Sequence, residues 1–254
     1  MKNSFKDLAI VISVKNGEET LEACLNSISI PVSQGAILYI FDAFSTDGTK
    51  KMIQRKYPDA IYFCKKDKGL YYAWNNAIET VSEPFLFFIN CDDTLYSSTN
   101  LLKLVKILRM DGQVVASSGQ TLMTRQDGVD RCAGQKIIRD WFIGDMPIVT
   151  PATVYVVKAL KSIKGFDTCY KISSDYDMIL RLLKKYGPTK FVFSKLVLVR
   201  FSLGGMSNKN HSRAFSEIRM IILKRLGLMK YILHILWYIT LILKRRLLAM
   251  YFKL

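Results

Sequence analysis

The sequence predicts an α/β fold built on a mostly parallel sheet with helices on both faces. Two observations carry this expectation. Short apolar runs of strand length alternate with stretches of helical spacing through the first hundred or so residues. Each apolar run also ends in polar residues, so the carboxyl edge of the sheet, where ligands of such folds bind, is marked in the sequence.

The elements follow in order. "LAIVISV" (8–14) reads as a buried strand. Leu21, Cys24, Leu25 and Ile28 recur at helical spacing and predict a helix over 18–28. "AILYIFD" (36–42) is a second strand, and the Ser/Thr/Asp-rich turn after it opens a helix over 45–57. "AIYFC" (60–64) is a third strand, 70–81 a helix, "FLFFIN" (85–90) a fourth strand, and a helix follows around 98–109. The strands end at Ser13–Asn16, Asp42–Asp47, Lys65–Gly69 and Asn90–Asp93. Residues 113–201 are less regular, with strand-like "QVVASSG" and "PATVYVV", a strong helix over 173–187 and a long strand over 190–201. No repeat or low-complexity linker interrupts the chain, which suits one continuous domain followed by a tail.

The chain has 254 residues and a net charge of +16. Such an excess suits a polyanionic partner: nucleic acid, anionic lipid or a phosphate-bearing substrate. Nine Lys/Arg against one acid, Glu217, fall in 213–254, so +8 of the +16 lies in the last sixth of the chain. That segment is also strongly apolar, which argues against a duplex-binding arm and against nucleic acid as the partner. Its uninterrupted apolar stretch runs only from Lys230 to Lys244 and contains His234, too short to span a bilayer. Trp237, Tyr238 and the Lys244-Arg245-Arg246 cluster suit an interfacial helix on an anionic membrane. The same helix would also serve to pack on the core or in a homo-oligomer. The five cysteines show no paired spacing, and the N-terminal apolar run reads as a strand rather than a signal peptide. Both features fit a cytoplasmic protein.

Four stretches carry candidate chemistry. In "NCDD" (90–93), Asp92 and Asp93 stand side by side at a strand end, where they repel unless something positive intervenes. Mg²⁺ or Mn²⁺, shared between carboxylates and substrate phosphates, would supply that charge. A plain helix N-cap would account for one of the two acids. In "FDAFSTDGTK" (41–50), Asp42 is suited to accept hydrogen bonds from a nucleobase, while Ser45–Gly48 are explained by a capping turn. In "DKGLYYAWNNAI" (67–78), Lys68 can reach a phosphate, Gly69 lets backbone approach a ligand, and Asn75 lies two helical turns on. In "SSDYDMILRL" (173–182), Asp175 and Asp177 sit in a helix's first turn. One of the two can face the cleft as a general base while the other turns away or pairs with Arg181, four residues beyond Asp177.

Together, in this order and spacing over roughly 6–210, these stretches resemble glycosyltransferase family 2, with its GT-A fold, and are similar to bacterial members that build O-antigen, capsule or exopolysaccharide. The matching segments are Asp42–Thr49, Asp67–Asn75, Asn90–Asp93, Gly165–Asp167, Ser174–Arg181 and "LGGMS" (203–207). The resemblance implies an inverting transfer from a nucleotide-diphosphate sugar, dependent on Mn²⁺ or Mg²⁺. Asp42, Asp67, Lys68, Gly69, Asn75, Asn90 and Asp92 would bind substrate, Asp92 and Asp93 the metal, and Asp175 would be the base. Residues 1–226 would form the catalytic domain, with a nucleotide-sugar half (about 1–112) and an acceptor half (113–210), and 227–254 the membrane-associating tail. The acceptor would be a lipid-linked saccharide, and the enzyme would sit on the inner face of the cell membrane. Where the family carries Gly-Gly, this chain has Ala43-Phe44, and the bulky Phe there would narrow the nucleotide pocket or contact the base. A nucleotidyltransferase, or a non-catalytic protein binding nucleotide or lipid, are the alternatives; no Gly-rich, Lys-containing nucleotide loop follows the first strand.

Overall fold

The computed structural model describes residues 4–66, 68–124, 130–133, 148–202 and 210–251. Strands β1 (Leu8–Val14), β2 (Ile37–Asp42), β3 (Ile61–Cys64) and β4 (Phe85–Asn90) lie in the order β3-β2-β1-β4, all parallel. The chain winds outward from β1 to β3 and then returns across β1 to build β4. The reversal lies between β1 and β4, and there the connecting segments diverge and open a crevice.

Helices α1 (Leu21–Ser27), α2 (Ser29–Ser33), α3 (Thr49–Lys56) and α4 (Leu70–Thr80) make the connections. The helix expected over 18–28 is α1, which starts at Leu21 and ends at its cap Ile28, and a separate short helix, α2, follows. Pro31, three residues into α2, has no N–H to give and crowds the carbonyl four residues before it, so one continuous helix cannot run through it. The next helix begins at Thr49, not 45, because Ser45–Gly48 are engaged elsewhere.

Beyond β4 the sheet becomes mixed. After β5 (Thr94–Leu95) and α5 (Ser98–Met110) come β6 (Ala116–Thr124), β7 (Asp130–Ala133), β8 (Thr153–Val156) and α6 (Val157–Ser162), then α7 (Ser174–Tyr186) and β9 (Phe191–Phe201). β8 is antiparallel to both β4 and β6, while β6 and β9 pair in parallel. Antiparallel neighbours need no crossover helix, which is why strand–helix alternation fades after residue 113. The nine-stranded sheet is continuous through both halves of the chain.

Both faces are buried. On β1, Leu8, Ile10, Ile12 and Val14 face a core shared with α1, α3 and α5, and Ala9 and Val11 face one shared with α4, α6 and α7. A strand buried on both sides is apolar nearly throughout, as 8–14 is apart from Ser13 near its carboxyl end. Two helices, α8 (His211–Leu226) and α9 (Leu228–Tyr251), follow and break at Gly227. Ile221 and Ile222 of α8 pack on Tyr170, Tyr176 and Leu180. Among the described residues no helix is long and apolar enough to cross a membrane.

Candidate active site

A cleft of about 760 Å³ opens at the carboxyl ends of β1 and β4. Its walls include Asn16, Lys68, Gly69, Tyr71, Asn90, Asp92, Lys171 and Ile172. Four of the expected site residues (Lys68, Gly69, Asn90 and Asp92) therefore share one cleft. Gly69 precedes α4 with φ +136°, a conformation L side chains rarely adopt, and a Cβ there would meet nothing within 4 Å. Asp67 and 203–207 lie outside the described residues.

Asp42 lies beside this cleft and lines an adjoining hollow of about 490 Å³ with Phe63, Cys64 and Asn76. Its carboxylate accepts from the Ser45 N–H (2.8 Å) and the Tyr62 hydroxyl (2.5 Å). The residues after it zip the β2–α3 loop to the β1–α1 loop. Asn16 N–H donates to Ser45 Oγ (2.8 Å), Thr46 N–H to Asn16 Oδ1 (2.9 Å), Glu18 N–H to Asp47 Oδ2 (3.1 Å), and Gly48 N–H to Glu18 Oε2 (2.9 Å). The Ser-Thr-Asp-Gly turn is thus committed to shaping the cleft's edge. Phe44 has φ +62°, is 62% exposed and lines neither cavity, so it does not narrow the pocket as its bulk suggests.

The two neighbouring acids part company. Asp92 lines the cleft. Asp93 is 1% exposed, and its carboxylate accepts from Asn90 Nδ2 (2.9 Å) and the Ser202 N–H (2.9 Å). Burial pushes the Asp93 carboxyl up to about 7, the Ser202 hydrogen bond opposes that rise, and the charge of Asp92 adds to it. Of the two acids expected to hold a metal, Asp92 lies in the cleft wall and Asp93 is turned inward, tying β4 to the chain just after β9. No group of three or more His, Cys, Asp and Glu suited to a metal occurs among the described residues. One carboxylate in the wall of this cleft still fits Mg²⁺ or Mn²⁺, which take much of their coordination from substrate phosphates and water.

Asn75, expected among the substrate-binding residues as a support of the pocket, is engaged by backbone. Its amide Nδ2 donates to the Phe166 carbonyl and its Oδ1 accepts from the Phe166 N–H, both at 2.8 Å. It holds the Gly165–Phe166 segment onto α4 and does not line the cleft. Gly165 fits this bracket only as glycine: its φ is +60°, and a Cβ would lie 2.3 Å from Asn75 Oδ1.

Asp175 opens α7 beside the cleft. Its Oδ1 accepts from the Tyr176 N–H (2.8 Å) and lies 3.4 Å from the Tyr71 hydroxyl, which donates to the Ile172 carbonyl at 2.6 Å. Burial pushes the Asp175 carboxyl up to about 6, against those hydrogen bonds. A carboxylate so raised is a stronger base than an exposed one. Asp177 is 0% exposed, bound by Arg181 Nε (2.7 Å) and by Arg225 Nε of α8 (2.7 Å). The i+4 spacing foretold Arg181. Arg225, like Tyr62, Tyr71 and Glu217, was not legible, since nothing local in the sequence ties these residues to the site.

The family model described as "Glycosyl transferase family 2" matches residues 9–144, more than half of the chain. The chain is 33% identical over 112 residues to a teichoic acid poly(glycerol phosphate) polymerase of Staphylococcus epidermidis, covering 42% of this chain and 16% of that protein. It is 23% identical over 224 residues to a PGL/p-HBAD biosynthesis glycosyltransferase of Mycobacterium tuberculosis, covering 87% of this chain and 86% of the relative. Glucosyl-3-phosphoglycerate synthase from M. tuberculosis, solved with Mn²⁺, UDP and glucosyl-3-phosphoglycerate, superposes with a TM-score of 0.63 at 16% identity, over 87% of this chain and 80% of the other.

Proposed function

Because the chain belongs to glycosyltransferase family 2 and has the GT-A fold, we propose that it transfers a sugar, with inversion, from a nucleotide-diphosphate donor to a hydroxyl of an anionic, lipid-linked saccharide. The observation that carries this reading is the cleft at the β1–β4 switch point, with Asp92 in its wall and, beside Tyr71 and Ile172, the half-buried Asp175.

In this reading the nucleobase lies toward Asp42, and Lys68 and the open backbone at Gly69 flank the diphosphate. Asp92 would hold Mn²⁺ or Mg²⁺, which when bound neutralises charge on the departing diphosphate. Asp175 takes the proton from the acceptor O–H. The oxygen forms a bond to the anomeric carbon from the face opposite the donor phosphate. The carbon–oxygen bond to phosphate breaks, and its electron pair leaves with the nucleoside diphosphate. One displacement inverts the anomeric centre.

We further read α9 as the membrane contact. Leu228, Met229, Ile232, Leu233, Leu236 and Ile239 are exposed on it, an apolar surface that solvent disfavours. The side chains of Lys244, Arg245 and Arg246 lie outside the described ones. The surface would rest on an anionic leaflet, as its flanking positive charge suggests.

The test is donor turnover. Purified full chain is incubated with UDP-glucose, UDP-N-acetylglucosamine or GDP-mannose, with Mn²⁺ and with EDTA. Release of nucleoside diphosphate from at least one donor, lost with EDTA, is expected. No release from any, and no thermal stabilisation by any, overturns the reading.

A further inference from the structure

We propose that Glu217 is a positioning residue for the transfer: its carboxylate fixes the backbone of 171–173, which forms one rim of the cleft and leads into Asp175. The proposal rests on the glycosyltransferase reading above.

Three successive amides converge on this one side chain. Lys171 N–H donates to Oε1 (3.0 Å), and Ile172 and Ser173 N–H donate to Oε2 (2.8 and 2.9 Å). Consecutive amides turned to one side form a concavity that binds anions, and here the chain fills it with its own carboxylate. Glu217 is 3% exposed, and Arg213 Nε (3.0 Å) supplies a fourth donor. Burial raises the Glu217 carboxyl, and the three amides outweigh it and hold the group below its usual value.

The rim reaches the site through one peptide plane. The Ser173 N–H and the Ile172 carbonyl belong to the same rigid peptide group. Glu217 holds its N–H end, and the Tyr71 hydroxyl holds its carbonyl end at 2.6 Å. That hydroxyl is the one 3.4 Å from Asp175 Oδ1. With both ends tied, the plane cannot rotate, and neither Tyr71 nor the start of α7 can drift relative to the cleft. Lys171 and Ile172 are themselves part of the cleft wall.

Glu217 is not simply what attaches α8. Arg225 binds Asp177, and Ile221 and Ile222 pack on Tyr170, Tyr176 and Leu180, all without Glu217. Removing it leaves α8 seated. It strands the three amides, which precede the helical turns of α7 and have no partner within that helix.

Full-length Glu217→Gln and Glu217→Ala are compared with wild type for hydrolysis of the best donor among UDP-glucose, UDP-N-acetylglucosamine and GDP-mannose, and for amide hydrogen exchange. Gln keeps the volume but replaces one acceptor oxygen with a donor. Both variants should lower kcat by about 10²-fold, the loss typical of a small misplacement, with donor KM within about twofold of wild type. Exchange should rise at 171–173 while 221–226 stay protected. An active wild type whose Glu217→Gln variant keeps its kcat overturns this proposal alone. So does a loss of kcat that comes with lost protection across α8, which would make the role one of folding. A wild type inert toward all three donors overturns the glycosyltransferase reading, and the proposal with it.

Discussion

The side-chain amide of Asn75 and the backbone of Phe166 exchange two hydrogen bonds, both at 2.8 Å, across 91 residues of sequence. This bracket ties the Gly165–Phe166 segment to α4. It sits against the aromatic cluster in which Trp74 stacks on Phe88 at 4.7 Å and Tyr71 on Phe166 at 5.3 Å. Asn75→Leu keeps the size but strands the Phe166 N–H and carbonyl. A buried group left unpaired costs about 1–3 kcal/mol, so the variant should lose about 2–5 kcal/mol in urea unfolding. Gly165→Ala should be comparably damaging, since its Cβ strikes the same amide.

Asp175→Asn preserves shape and removes the base. Transfer should fall by about 10²–10⁴-fold, the usual worth of a positioned proton transfer. The wild-type rate should drop as pH falls through about 6, where Asp175 takes up its proton. The stability sign is the reverse. A carboxyl whose folded pKa is raised stabilises fully below its unfolded value and loses that contribution as pH rises through about 6. Asp175→Asn should therefore unfold no earlier than wild type, and later at about pH 8, in thermal scans. A destabilised, fully active variant would contradict both statements.

Asp92→Ala and Asp93→Ala should fail differently. Asp92→Ala should lose turnover and no longer gain thermal stability from Mn²⁺ plus nucleoside diphosphate. At 100 times Kd a ligand adds about 2.7 kcal/mol, so the missing shift is readily seen. Asp93→Ala should unfold earlier even without ligand, because it frees Asn90 and the Ser202 N–H. Equal behaviour of the two would contradict the division between them.

Arg225→Met should test the tie between α8 and α7. It removes one of the two guanidiniums on a fully buried carboxylate. Breaking a buried pair from one side costs about 3–5 kcal/mol, so a loss of that order is expected by chemical denaturation. Asp177→Asn, which removes the charge that both guanidiniums bind, should cost at least as much.

Truncation after Gly227 should abolish sedimentation with anionic liposomes while leaving hydrolysis of a soluble donor intact. Full chain and truncated chain equally unbound at low salt would remove the membrane role assigned to α9.

The sequence by itself determined the strands of the parallel half, the helices between them and the edge where the site lies. Those properties are local: an apolar run such as 8–14 is buried on both faces wherever it sits, and polar residues such as Asn90–Asp93 follow a strand because the chain there leaves the core. It also determined the Asp177–Arg181 pair, since four residues is one turn of helix. Only the tertiary structure decided which of two adjacent acids faces the cleft. Asp92 and Asp93 are chemically identical, and their roles part because Ser202, 109 residues away, offers an N–H to one of them. The same holds for Asn75, drawn off the cleft by Phe166, and for Glu217, which looks like a lone acid in a basic tail until α8 folds back across the 171–173 amides. A polar side chain goes to whichever partner satisfies it most completely out of water. That partner lies tens of residues away, beyond the reach of any local pattern.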